Sequence, residues 1–124
     1  MYGDDARAYV LSKPAAEEGT PFGPEVLVYK VGGKMFAALG VDPATDTARI
    51  NLKCDPDRAE ELRAEYEGVL PGYHMNKRHW NTLMLDGCLP PALVTELIDH
   101  SYELVVATLP KKAREALAAS FPGQ

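Results

Sequence analysis

The sequence predicts an α+β domain, with helices packed on an antiparallel sheet of at least four strands in the order αβββαβαα. Three observations carry that prediction. Gly32-Gly33 joins two runs rich in β-branched, aromatic and other apolar residues. Residues 47–53 alternate polar and apolar side chains throughout. Two later segments, opening at Asp55-Pro56 and Pro90-Pro91, begin as helices begin.

Taken in order, residues 4–13 form a first helix, with Asp4 or Asp5 as its cap and Ala6, Tyr9, Val10 and Lys13 at helical spacing. Pro14 ends it, and residues 15–24, with Pro and Gly in pairs, read as a loop. Strands over 26–31 and 34–39 make a hairpin around Gly32-Gly33, because a two-residue type I′ turn needs positive φ at both central positions. That register sets Val31 against Lys34, Lys30 against Met35 and Tyr29 against Phe36. Leu27, Tyr29, Phe36 and Ala38 then share one face, and Val26, Val28, Ala37 and Leu39 the other.

Gly40 to Asp46 reads as a turn. In the strand 47–53, Ala48, Ile50 and Leu52 face inward while Thr47, Arg49, Asn51 and Lys53 face solvent. A helix over 55–67 follows, burying Ala59, Leu62 and Tyr66, with Gly68 as its stop. Its surplus of acidic residues reads as a solvated face on which Arg58 pairs with Glu61 or Glu65. Residues 69–77 read as a loop and 78–85 as a fourth strand, with Trp80, Thr82 and Met84 on one side. A long helix spans 91–108, with Leu93, Leu97, Ser101, Leu104 and Val105 at core spacing, and a short one spans 111–119. The expected core comprises Tyr29, Phe36, Ile50, Leu52, Leu62, Trp80, Leu97 and Val105.

At 124 residues the chain is expected to form a single domain over 1–124, large enough for one hydrophobic core. Its 46% hydrophobic and 25% charged content excludes disordered and collagen-like classes. No apolar run approaches the ~20 residues of a membrane span, so no membrane partner is expected. The opening Met-Tyr-Gly-Asp-Asp lacks signal-peptide features, and Cys54 and Cys88 form no CxxC; a reduced, cytoplasmic setting follows as the expectation. The net charge of −5 opposes a dedicated nucleic-acid binder, although the acidity concentrates on the helix at 55–67 and near the N-terminus.

Five segments occur in an order that resembles the MmcQ/YjbR family of small bacterial proteins. They are Thr20-Pro-Phe-Gly-Pro24, Tyr29-Lys-Val-Gly-Gly-Lys-Met-Phe-Ala37, Asn51-Leu-Lys53, Tyr73-His-Met-Asn-Lys-Arg-His-Trp80 and Ser101-Tyr-Glu-Leu-Val105. The resemblance extends from about Tyr9 to Leu117. It implies a CyaY-like α+β fold, also described as a double wing, and a DNA-binding role.

Among the residues themselves, Val31-Gly-Gly-Lys34 is not a phosphate loop, since its spacing differs and a strand rather than a helix follows. It reads as a hairpin turn, with Lys34 at a wing tip. The run Tyr73 to Trp80 is the densest candidate, combining cations for phosphates and aromatics for stacking. The three His and two Cys show no metal-ligand spacing, no nucleophile with its base is recognisable, and neither an enzyme nor a cofactor is expected. The first functional reading is therefore weak, phosphate-directed DNA binding through Lys34, Arg49, Lys53, Lys77, Arg78 and His79. The alternative is a non-enzymatic protein-interaction or small-ligand module. A continuous positive surface favours the first; an apolar pocket with converging polar groups favours the second.

Overall fold

A computed structural model describes residues 1–72 and 75–120, the side chains of 118–120 excepted. The described elements are α1 (Gly3–Leu11), β1 (Glu17–Gly19), β2 (Leu27–Val31), β3 (Lys34–Asp42), β4 (Thr47–Lys53), α2 (Pro56–Glu65), β5 (Val69–Pro71), β6 (Trp80–Met84), α3 (Pro91–Ala107) and α4 (Lys111–Ser120). The strands form one antiparallel sheet in the order β1-β2-β3-β4-β6-β5.

Two strands escape the sequence reading. β1 falls in the segment 15–24 read as a loop, and β5 falls in 69–77. Both are three-residue edge strands, too short to show a period, and β1 is exposed along its whole length. β3 also runs on to Asp42, through residues read as a turn, because Gly40, Val41 and Asp42 continue the ladder with Arg49, Ala48 and Thr47.

The hairpin turn is as expected, with Gly32 at φ 58° and Gly33 at φ 80°. A Cβ on Gly32 would also lie 2.7 Å from Leu109 Cδ2, so that position is closed to side chains twice over. Beyond Lys30–Met35 the register shifts: Tyr29 faces Ala37, not Phe36. Phe36 is the extra residue of a β-bulge. Its carbonyl accepts a hydrogen bond from Ser101 Oγ on α3, and its ring meets Tyr102 edge-on at 5.3 Å. The expected faces are corrected accordingly. Ala37 and Leu39 join Tyr29 and Phe36 in the core, while Ala38 turns to the opposite side with Val28.

The core lies between one face of the sheet and the helices. Ile50, Leu52 and Leu83 meet Leu97, Ile98 and Val105 of α3, Ala59 and Leu62 of α2, and Ala6 and Val10 of α1. Asp55 caps α2 by accepting from the Asp57 and Arg58 amides, with Pro56 in the first turn. Arg58 pairs across to Glu96 on α3, at 2.5 Å, rather than along its own helix as expected. Gly68 is not the stop; α2 ends at Glu65 with Tyr66 extended. A Cβ on Gly68 would lie 2.7 Å from Cys88 Sγ, and that close approach accounts for the glycine. Trp80 is another correction: it is half-buried, because with Thr82 and Met84 it points away from the helices.

Candidate functional site on the helix-free face of the sheet

Alternation along β4 sends Ile50 and Leu52 to the helices and Arg49, Asn51 and Lys53 to the other face. On that face the central strand β3 carries only Ala38 and Gly40 between Val28 and the β4 side chains. The small residues leave a trough. Phe22, Glu25 and Val26, from the segment before and at the start of β2, border it. Val41 and Pro43 stand at the far end, and Met35 and Met75 near the hairpin. The cavity is about 450 Å³, within the range of small-molecule sites.

Among the described residues the floor holds two polar side chains. The Arg49 side chain is 15% exposed and its Nη1 lies 3.7 Å from Asp42 Oδ2, an ion pair beyond hydrogen-bond length. Asn51 is buried and accepts a hydrogen bond at Oδ1 from the Thr82 hydroxyl on β6. That bond assigns Oδ1 to the Thr82 side of the amide and Nδ2 to the other. The walls are apolar, and Phe22 and Val41 are large side chains left 71% and 50% exposed.

The six expected nucleic-acid contacts fall at three places. Lys34 reaches around the turn to the end of α3, where Nζ donates to the Thr108 carbonyl at 3.3 Å and to its hydroxyl at 3.1 Å. There a cation meets the negative end of the helix dipole. Arg49 lies inside the trough. Lys53 pairs with Trp80 at the sheet end where β4 stops and β6 starts, beside the turn bearing Lys77, Arg78 and His79. Arg49 is four residues, about 13 Å, back along the strand from Lys53.

Lys77 Nζ donates to the Gly72 carbonyl, and its own carbonyl accepts from Arg63 on α2. The Arg78 amide donates to Asn76 Oδ1, and the His79 carbonyl accepts from the Cys54 amide. Tyr73 and His74, counted in the same candidate run, lie outside the described residues. Burial pushes the Cys54 thiol up, and a hydrogen bond with Asp86 does the same for Cys88, so neither is poised as a thiolate nucleophile.

Sequence reasoning named Arg49 but missed the rest of the trough. The available signal was the small pair Ala38 and Gly40, two apart on one strand, facing Asn51 and Arg49 two apart on the next. The bulge at Phe36 hid it by shifting the face assignment of β3.

The YjbR family model matches residues 11–104. The chain belongs to the YjbR family. Among its relatives, uncharacterized protein YjbR of Escherichia coli K12 is 36% identical over 109 residues, spanning 88% of this chain and 91% of that protein. Uncharacterized protein YbdF of Escherichia coli O157:H7 is 38% identical over 109 residues, with 88% of each chain covered. The crystal structure of Deinococcus radiodurans protein DR2400, with a DUF419 domain, superposes with a TM-score of 0.84 at 40% identity, over 98% of this chain and 93% of that one. A Pseudomonas syringae protein of known structure gives 0.77 at 30% identity, over 85% and 99%. These YjbR-family structures share the α+β architecture described above. Among the described residues no helix is long and apolar enough to cross a membrane.

Proposed function

We propose that this YjbR-family chain is a non-enzymatic small-molecule-binding module whose site is the trough on the helix-free face of the sheet. The observation that carries this reading is the trough itself: about 450 Å³, apolar-walled, with Arg49 and Asn51 converging on its floor. An apolar cavity with a few directed polar groups is how proteins recognise small ligands. The two free thiols, one of them exposed, support a reducing, cytoplasmic setting.

The test uses the position that makes the trough. Gly40 has no positive φ, and a Cβ there would sit 3.7 Å from the Glu25 carbonyl oxygen and 3.8 Å from Val26 Cγ2, ordinary contacts. Gly40→Leu should therefore fill the trough in a well-folded protein, since glycine in a strand interior is itself unfavourable. Anilinonaphthalene, a neutral apolar fluorophore, should brighten with the wild-type chain and not with Gly40→Leu. Equal brightening with both would end the reading.

A second reading, weak phosphate-directed DNA binding, draws on Lys53 lying beside the turn with the exposed Lys77 and Arg78. With Lys34 engaged by α3 and Arg49 in the trough, three phosphate contacts remain, implying a log–log salt slope of about −2.7 on duplex DNA. Titration of duplex DNA at two salt concentrations checks it; no binding at low salt would dismiss it.

A further inference from the structure

Resting on the reading of the trough as a small-molecule site, we infer that its ligand is a flat, uncharged aromatic ring system lying over Ala38 and Gly40. These two residues share one face of β3, so the floor beneath them is almost bare backbone. Within 4 Å of a Cβ on Gly40 lie the Glu25 carbonyl oxygen and Val26 Cγ2, and no aromatic ring of the described residues comes that close. Rings are what cover exposed strand glycines in sheets. A flat ring can lie against this backbone, where a puckered saturated skeleton stands off.

The walls favour the same class. Met35 and Met75 border the trough near the hairpin, and Phe22 stands at its edge, 71% exposed. Thioethers are polarisable and make favourable contacts with aromatic rings, and a phenyl group pairs with another ring edge-on or offset. An aliphatic ligand would bury similar area and gain neither contact.

Charge sets the remaining condition. Arg49 and Glu25 are the charged side chains of the described lining. Arg49 already pairs with Asp42, and Asn51 with Thr82, so the chain itself supplies partners for the polar floor. Glu25 is exposed at the border, where water and salt screen it. An anion entering the trough would meet two carboxylates along with Arg49, and a cation would meet the guanidinium. Either would give up hydration to apolar walls, and a neutral ring does not.

Naphthol, decahydronaphthol and naphthoate separate ring character from charge on one two-ring skeleton. Each is titrated at neutral pH into the isotopically labelled full-length chain, with affinity read from the amide shifts of Ala38 and Gly40. Naphthol should bind about tenfold tighter than its saturated analogue, as expected of two or three ring contacts. It should also bind about tenfold tighter than naphthoate, whose carboxylate must be desolvated. The double variant Met35→Leu/Met75→Leu keeps side-chain volume and removes both sulfurs. It should narrow the aromatic advantage to about threefold and leave the saturated alcohol's affinity unchanged. Gly40→Leu should abolish binding of all three. Equal or tighter binding of decahydronaphthol, or an aromatic advantage untouched in the double variant, would overturn the aromatic ligand while leaving the trough as a site. Equal or tighter binding of naphthoate would overturn its neutrality in the same way. Failure of the wild type to bind any of the three, or equal binding by Gly40→Leu, would overturn both readings.

Discussion

The two faces of the sheet are built from the same strands and have opposite fates. Against the helices lie Tyr29, Phe36, Ile50, Leu52 and Leu83, all at most 2% exposed. On the other face lie Arg49, Asn51, Lys53, Trp80 and Met84, with loops rather than helices for company. On β4 the two sets are interleaved residue by residue, so one seven-residue strand carries both the core residues Ile50 and Leu52 and the floor of the trough. The difference teaches that apolar content alone does not decide which face folds the protein. The helix-free face also bears Val28, Ala38 and Met35; among the described residues no helix packs on it, and small residues at Ala38 and Gly40 keep a space open.

If that contrast is right, substitutions on the two faces separate stability from binding. The largest effects belong to the sealed face. Leu97→Ala and Leu62→Ala, at 3% and 6% exposure, should each cost about 2–5 kcal/mol through lost burial and the cavity left behind. Urea denaturation should show lower midpoints with an unchanged slope. Unchanged midpoints would mean that α2 and α3 do not seal the core.

Next is the polar pin through that face. Ser101 is fully buried; its hydroxyl donates to the bulged Phe36 carbonyl and accepts from the Lys53 amide at 2.9 Å. Ser101→Ala strands both backbone groups and should cost about 1–3 kcal/mol. It should also disturb amide resonances at Phe36 and Lys53, which a purely volumetric effect would leave alone.

A smaller effect comes from the edge. Glu18 of β1 accepts from Arg7 of α1 and from the Tyr29 hydroxyl, and these hydrogen bonds hold its carboxyl below the usual range. A carboxylate lowered on folding stabilises fully above its unfolded value of about 4.3, and that contribution fades as pH falls through the lowered value. The wild type should therefore exceed Glu18→Gln in thermal stability at neutral pH. The gap should close in acid, and a gap that widened there would reverse the assignment.

The smallest stability effects belong to the border of the trough. Val41→Ser and Phe22→Ala remove side chains that are mostly exposed and should move stability by no more than about 0.5 kcal/mol. Both should weaken anilinonaphthalene binding, the reverse of the pattern on the sealed face.

How much of this was legible in the chain follows from where period and local chemistry agree. The strand at 47–53, the cap of α2 and the glycine turn were legible because each rests on a local rule, though Asn51, read as facing solvent, is buried. β1 and β5 were missed because three residues cannot show a period and their pairing is decided by partners elsewhere. The slip of one residue at Phe36 was invisible because the hydroxyl that bonds the bulged carbonyl, on Ser101, lies 65 positions away. That slip turned Ala38 from the core to the trough. The alternation of Arg49 and Asn51 was in plain view, but their meaning depends on Gly40 and Ala38 across the ladder. A cation counted for DNA thus lies in an apolar cavity.

The most direct test of the account is a map of where a small molecule lands. The amide spectrum of the isotopically labelled chain should be followed by NMR as anilinonaphthalene is added, with duplex DNA in a parallel titration. The account predicts that the fluorophore shifts the amides of Val26, Met35, Ala38, Gly40, Val41 and Asn51, while those of Leu62, Leu97 and Val105 stay in place. Shifts confined to the helices, or a spectrum that moves only for DNA and only around Lys53, Lys77 and Arg78, would contradict it.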